Sequence, residues 1–415
     1  MRSPVLNIET GFFPPPVTLF AFVSQSLSKR GTCQEAVARI CAERQAQGES
    51  ECSLNTSNYV RARQRLPVNI LQKLTCNIAF DLHQTCQSAG LWGWHGRQVK
   101  MTDGTTLLAA DTPANRSVYP VHGRQKEEVG FPLLRACALI SLSTGSVCDF
   151  AMAAYRGKKT GELTLARTLM RSLLPEDILL GDALMDSYFF IAQVKASGAD
   201  ALFEARRHVD FRQGRKNGPG DMELELERPA RPEWMSKEDY DTYPETLSVR
   251  FVKDRKRILI TTLLNPKCYS REELRLLYAK RWNVELDLRS IKDIMDMEML
   301  RSQSPEMLEK EVWAKLLAYN LIRLTMAEAA LKHGYDPRQL SFTGAIQSIN
   351  AFVPYMQNMQ GEKWKNMYEA LLKAIASIRV GNRPGRREPR VVKRRPKPFP
   401  RMQICRQTWK KKRGF

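Results

Sequence analysis

The chain has 415 residues, a net charge of +21, a pI of about 9.7 and a mean hydropathy of −0.40. That length bounds it to about two or three domains with a sizeable core, and that charge points to a polyanionic partner. Nine scattered cysteines without a C-x-x-C pair exclude a disulfide framework or structural zinc site as an expectation and fit a reducing cytosol. No apolar run is long enough for a transmembrane helix, and the short Val17 to Val23 run lacks signal-peptide flanks.

The first predicted elements are helical. Thr32 and Glu35 form a capping-box pattern ahead of a helix over Gln34 to Ile40. Ser57 to Arg65 carries Arg61, Arg63 and Arg65, and a third helix runs from Pro67 to about Ser88. Residues 1–95 therefore read as an N-terminal helical domain, which either touches DNA or is a bundle with a basic exterior.

From residue 96 short apolar runs take over. Arg97 to Met101 alternates as a strand that should end at Asp103-Gly104. Leu133 to Leu142 and Val147 to Ala154 flank Ser143-Thr144-Gly145, a hairpin signal. A helix over Thr160 to Leu174, a buried strand over Ile178 to Leu180 ending at Gly181-Asp182, and a helix capped by Asp186 follow. This is the order of an α/β core. The pattern then breaks into a basic, Gly-rich stretch and three strand-like segments, Met222 to Leu226, Thr246 to Val252 and Arg257 to Leu264. They form a β-rich insertion at about 206–265 within a core spanning 96–300.

Helical patterning resumes from Ser270 to roughly Met297. Ser304-Pro305-Glu306 starts another helix by cap and N1-proline logic, ending near His333-Gly334. With two further helical segments this makes a C-terminal helical region, 301–380. The tail, 381–415, is basic and Pro-rich. Arg383 to Phe415 holds fourteen Lys or Arg and one Glu, so +13 of the +21 lies there. Such a run is a solvated arm, and basic arms bind nucleic acid.

Chemistry concentrates in three stretches. Tyr278, Arg281, Glu285 and Lys292 follow Y-x2-R-x3-E-x6-K, which at about 100° per helical residue sets all four on an arc about 60° wide. Leu277, Val284, Leu288 and Ile291 form an apolar stripe beside it, able to dock the helix. Asp287 points about 160° away from Glu285, so an Asn there should be tolerated in catalysis. Asp103 and Asp182 each follow a strand. Two aspartates at strand ends and a glutamate on a facing helix would hold two divalent ions, Mg²⁺ or Mn²⁺, for phosphoryl transfer. Each piece has a plain structural reading too: an aspartate after a strand is commonly a turn residue, and Arg281–Glu285 could be an i,i+4 surface pair. Asp111 and Asp186 are better read as caps or turn residues.

With these residues the chain resembles the DDE transposases of bacterial insertion sequences, in the insertion-sequence-four family. The resemblance rests on Asp103-Gly104, Gly181-Asp182 and the Tyr278, Arg281, Glu285, Lys292 signature. It extends to Asp111-Thr112-Pro113-Ala114-Asn115, Tyr119-Pro120, Gly130-Phe131-Pro132 and the segment Arg383 to Arg390, covering about residues 30 to 400. It implies an α/β, ribonuclease-H-like core with a β-strand insertion, flanked by N-terminal and C-terminal helices. It implies Asp103, Asp182 and Glu285 as catalytic metal ligands, with Tyr278, Arg281 and Lys292 binding terminal DNA phosphates. It further implies nicking at the element end, attack by the freed 3′-hydroxyl to give a hairpin, reopening, and joining to target DNA. The partners implied are double-stranded DNA, meaning terminal inverted repeats and target, and a second copy in a synaptic complex. The expected location is the bacterial cytoplasm, at the nucleoid. Family members stack a tryptophan of the insertion on a flipped base; Trp234 lies in the insertion but reads more readily as packing in its core, and Trp282 as packing beside its helix. Two other readings remain: a nuclease of the same fold without strand transfer, and a non-catalytic DNA-binding protein derived from a transposase.

Overall fold

The computed structural model describes residues 12–28, 31–49, 53–123, 129–381 and 402–414. Proline and hydroxyl caps set the first helices. Helix α1 (Pro15–Ser26) begins with prolines, where a missing N–H costs nothing. In α2 (Cys33–Ala46), Thr32 accepts the Glu35 amide, but the Glu35 carboxylate goes to Ser28 and Arg39, so the capping box stays half closed. Helices α3 (Ser57–Arg65) and α4 (Val68–Ser88) follow. Phe13, Ala21, Val37, Ile40 and Tyr59 give α1, α2 and α3 a small core of their own.

The central elements are β1 (Val99–Leu108), α5 (Pro113–Val118), β2 (Leu133–Ser141), β3 (Val147–Ala154), α6 (Glu162–Leu169), β4 (Ile178–Gly181), α7 (Tyr188–Ala196) and β5 (Asp200–Glu204). Then come β6 (Arg215–Gly218), β7 (Asp221–Glu227), α8 (Lys237–Asp241), β8 (Thr246–Asp254) and β9 (Arg257–Thr261). All strands join one nine-stranded sheet, β3-β2-β1-β4-β5-β9-β8-β7-β6. The first three strands are antiparallel and β1, β4 and β5 are parallel, which makes the ribonuclease-H-like core. The strands of the insertion do not stand apart. Strand β9 pairs antiparallel with β5, so β9, β8, β7 and β6 extend the same sheet.

Strand β1 corrects one expectation. It does not end at Asp103 but continues to Leu108, because β2 pairs with it along that whole length.

The C-terminal half is helical: α9 (Arg271–Ala279), a 3₁₀ turn (Lys280–Trp282), α10 (Asn283–Arg289), a π turn (Ser290–Ile294), α11 (Pro305–His333), α12 (Phe342–Met356), α13 (Gly361–Ser377) and α14 (Arg406–Arg413). Ser304 caps α11 through the Met307 amide, and Gly334 closes it in the left-handed conformation at φ 72°. Helix α11 is buried along most of its length and packs against α1, α4, α12 and α13. The sheet thus has two covered faces. Met101, Ala138, Leu180 and Leu202 meet α10 and α11 on one, while Cys137, Leu139, Leu179 and Phe203 meet α6 and α7 on the other. Among the described residues no helix is long and apolar enough to cross a membrane. Most of the basic tail, including Arg383 to Arg390, lies outside the described residues.

Candidate active site

Strands β1 and β4 run side by side only from Val99↔Ile178 to Met101↔Leu180. Beyond that pair they part, and Asp103 and Asp182 lie at the mouth of the gap. This is the carboxyl end of parallel strands, where open α/β sheets present their ligand crevices. Each aspartate is pinned by one oxygen. Asp103 Oδ1 accepts the Gly104 amide at 2.8 Å. Asp182 Oδ1 accepts the Leu184 amide at 2.9 Å and caps a 3₁₀ turn over Ala183–Met185. The turn-residue reading of Asp182 is therefore true as well, and does not remove its carboxylate from the gap.

The facing carboxylate comes from α10. Ser270 and Glu273 close a full capping box at the start of α9. Leu274, Leu277, Val284, Leu288 and Ile291 dock the segment on the sheet. Arg281 then stands between two acids, its Nη1 3.7 Å from Asp103 Oδ2 and its Nη2 3.5 Å from Glu285 Oε1. Burial pushes the Asp103 carboxyl up; the Gly104 amide and Arg281 oppose this, and the charges of Asp182 and Glu285 add to it. Arg281 thus links Asp103 to Glu285, while Asp182 stands beside Asp103; among the described residues Glu285 is not one of the acids whose oxygens lie within 4.8 Å of one another.

Tyr278 and Lys292 are placed differently. The Tyr278 ring is buried, 3% exposed, with the Arg281 guanidinium 5.9 Å from its centroid. Its hydroxyl donates to Glu204 at 3.4 Å, and burial pushes its pKa up to about 12. Lys292 sits in the π turn, half-buried, with no ion pair among the described residues. One uninterrupted helix from Tyr278 to Lys292 is therefore not what forms. The 3₁₀ turn overwinds and the π turn underwinds the segment, so a uniform 100° step does not carry from Tyr278 to Lys292.

Asp287 faces away from Glu285 and is buried, binding Arg323 at 2.6 Å and Arg338 at 2.7 and 2.8 Å, so it anchors the helix. Three neighbouring expectations change. Asp186 does not cap α7; it accepts from the Arg206 and Arg207 amides and pairs with the Arg207 guanidinium. Trp282 is 51% exposed instead of packed, because the 3₁₀ turn carries it outward. Trp234 is no core residue either: it is 55% exposed, with the Arg167 guanidinium 4.2 Å over its ring and Phe189 at its edge. Asp111 pairs with Arg116, beside the Thr112 cap of α5.

Nothing in the sequence pattern singled out Glu162, the first residue of α6. Asp103, Glu162 and Asp182 each offer an oxygen lying within 4.8 Å of the others. Burial, then repulsion from Asp103 and Asp182, raises the Glu162 carboxyl above its ordinary range. Clustered, half-buried carboxylates of one sign are a hard-oxygen donor set that suits a divalent cation such as Mg²⁺ or Mn²⁺.

A sheet of this order with acids at the parting of β1 and β4 is a ribonuclease-H-like core with a carboxylate crevice at its strand ends. The family model described as "Transposase DDE domain" matches residues 94–321, and the chain belongs to that family. It is a DDE transposase of the IS4 type, an enzyme that cuts and transfers DNA strands with divalent metal. The transposase InsG for insertion sequence element IS4 of Escherichia coli (strain K12) is 28% identical over 356 residues, covering 83% of this chain and 78% of that protein. The cryo-EM structure of a piggyBac transposase synaptic complex with hairpin DNA covers 92% of this chain and 80% of its own, at 9% identity and a TM-score of 0.42.

Proposed function

We propose that this protein excises an insertion sequence at its terminal inverted repeats and joins the 3′ ends to target DNA. The observation that carries this reading is that Asp103 and Asp182 cluster where β1 and β4 part, with Arg281 reaching from Asp103 to Glu285. In it, Asp103, Asp182 and Glu285 hold two Mg²⁺ or Mn²⁺ ions. When bound, such ions neutralise the charge of the phosphoryl transition state and favour the attacking and leaving oxygens.

The remaining work falls to the chain. Arg281, a salt-bridge partner of Asp103 and Glu285, is the guanidinium placed to meet a phosphate at this site. Lys292, without an ion pair among the described residues, meets a second phosphate. Tyr278 backs Arg281 and reaches DNA only by exchanging Glu204 for a phosphate. Trp234, already half exposed and stacked by Arg167, is the aromatic available to a flipped base, and its signature companions support a hairpin route. Within this reading residues 1–95 recognise the element end, 96–300 with the insertion at 206–265 carry catalysis, 301–380 support it, and the tail 381–415 holds DNA generally. A homodimer on paired ends forms the synaptic complex, in the bacterial cytoplasm at the nucleoid.

The test is incubation with labelled element ends, Mg²⁺ and a target plasmid. Joined product is the expected outcome, with hairpins visible on a denaturing gel. Asp103→Asn, Asp182→Asn and Glu285→Gln should each abolish nicking and joining while end binding persists. Cleavage without joining would leave a nuclease, and a shifted but intact band a DNA-binding protein.

A further inference from the structure

We propose that Glu162 is an additional metal-ligating residue of this site, an inference that rests on the metal reading above. Three independent features of the fold converge on it. Its oxygen lies within 4.8 Å of oxygens of both Asp103 and Asp182. It is delivered from the opposite side of the sheet to Glu285: α6 packs with Leu165, Ala166 and Leu169 on one face, α10 with Val284 and Leu288 on the other. The crevice therefore receives one glutamate over each face, while the two aspartates rise from the sheet itself.

The third feature is Gly104. It sits inside β1, where a glycine weakens a strand and marks a close approach of another group. A Cβ placed there would lie 2.2 Å from the Glu162 Cδ and 2.4 and 2.6 Å from its two oxygens. The missing side chain is the seat of that carboxylate. Gly104 has no left-handed backbone to explain it, so the space for Glu162 is its reason. Because the clash is with the far end of a flexible side chain, an alanine here would move the Glu162 carboxylate and leave the strand paired.

Arg281 distinguishes the two glutamates. It neutralises Glu285 at 3.5 Å, whereas Glu162 faces the aspartates with no ion pair among the described residues. Glu162 is thus the acid already turned toward the Asp103–Asp182 pair before any cation enters, and Glu285 is the one that must exchange its arginine.

Free Mn²⁺ counted by electron paramagnetic resonance, in titrations of the full-length protein without DNA, tests this. Removal of an outer-sphere partner alone costs about 10–100-fold in metal affinity, so Glu162→Gln should weaken Mn²⁺ binding by about tenfold or more. Gly104→Ala should weaken it comparably, and Gly104→Ala added to Glu162→Ala should cost nothing further, since there is no longer a carboxylate to displace. Thermal melts should show both single variants folded. If Asp182→Asn loses Mn²⁺ while Glu162→Gln and Gly104→Ala bind it as the unaltered protein does, Glu162 is not a ligand and the metal reading stands. If Asp103→Asn and Asp182→Asn also bind normally, the metal site itself fails and Glu162 fails with it. A Gly104→Ala penalty that persists in the Glu162→Ala background would also overturn the proposal.

Discussion

Arg281 holds the site together. It bridges Asp103 and Glu285, two carboxylates that would otherwise face each other across a half-buried gap. A cation entering that gap competes with the guanidinium. Arg281→Ala should therefore bind Mn²⁺ at least as tightly as the unaltered protein while strand joining falls; loss of Mn²⁺ binding would show that the arginine supports the ligands instead. Asp287 makes the opposite case. It balances Arg323 and Arg338 in a buried site, and breaking a buried pair costs about 3–5 kcal/mol. Asp287→Asn should lower the unfolding free energy measured by urea titration by an amount of that order, and an unchanged value would refute the anchoring role. At this scale the sequence is uneven. The contact of Arg281 with Asp103 and Glu285 draws on residues that each stand in a local pattern. Glu162 was not legible, since its significance depends on contact with Gly104 from 58 positions earlier, although a glycine inside a strand was a signal that something approaches it.

Among the elements, caps and turns were legible and pairings were not. Ser304 with Pro305, Gly334, and the hairpin before Val147 all formed as local chemistry dictates. The strand Asp200–Glu204 escaped notice because it is short and its apolar core is only Ala-Leu-Phe. Its first residue nonetheless ties three elements together. Asp200 accepts from Arg97 at 2.7 Å, Lys195 at 2.8 Å and Thr262 at 2.6 Å. Burial alone would raise its carboxyl, but these donors outweigh it and hold the pKa below the ordinary range. A depressed folded-state value means that this group's contribution is complete above the unfolded pKa of about 3.9 and is lost as pH falls through the folded value. Urea unfolding followed from pH 7 downward should show an acid-side loss of stability, and Asp200→Asn should be less stable at pH 7 and flatter in that acid limb. A variant with the same acid slope as the unaltered protein would remove Asp200 from the account.

For the whole molecule, the decisive fact is continuity of one sheet. The strands of the insertion could be read one by one, but that they extend the core through β9 against β5 depends on partners some 60 positions apart, which no local pattern carries. Charge is distributed the other way, toward the end of the chain. With +13 in residues 383–415, the tail should release counterions from any duplex, at a slope of roughly −0.9 in log K per contacted phosphate against log salt. Deleting 383–415 should weaken binding to every duplex and flatten that slope, while preserving the ratio of specific to non-specific affinity. An unchanged slope with an altered mass in light scattering would assign the tail to contact between copies instead.

The Asp287 clamp also carries a meaning in time. Its second arginine, Arg338, follows it by 51 positions, and the helix it holds in place carries Glu285. On the ribosome this clamp on the helix that carries Glu285 therefore closes in two steps, Arg323 emerging first and Arg338 only after α11 is complete.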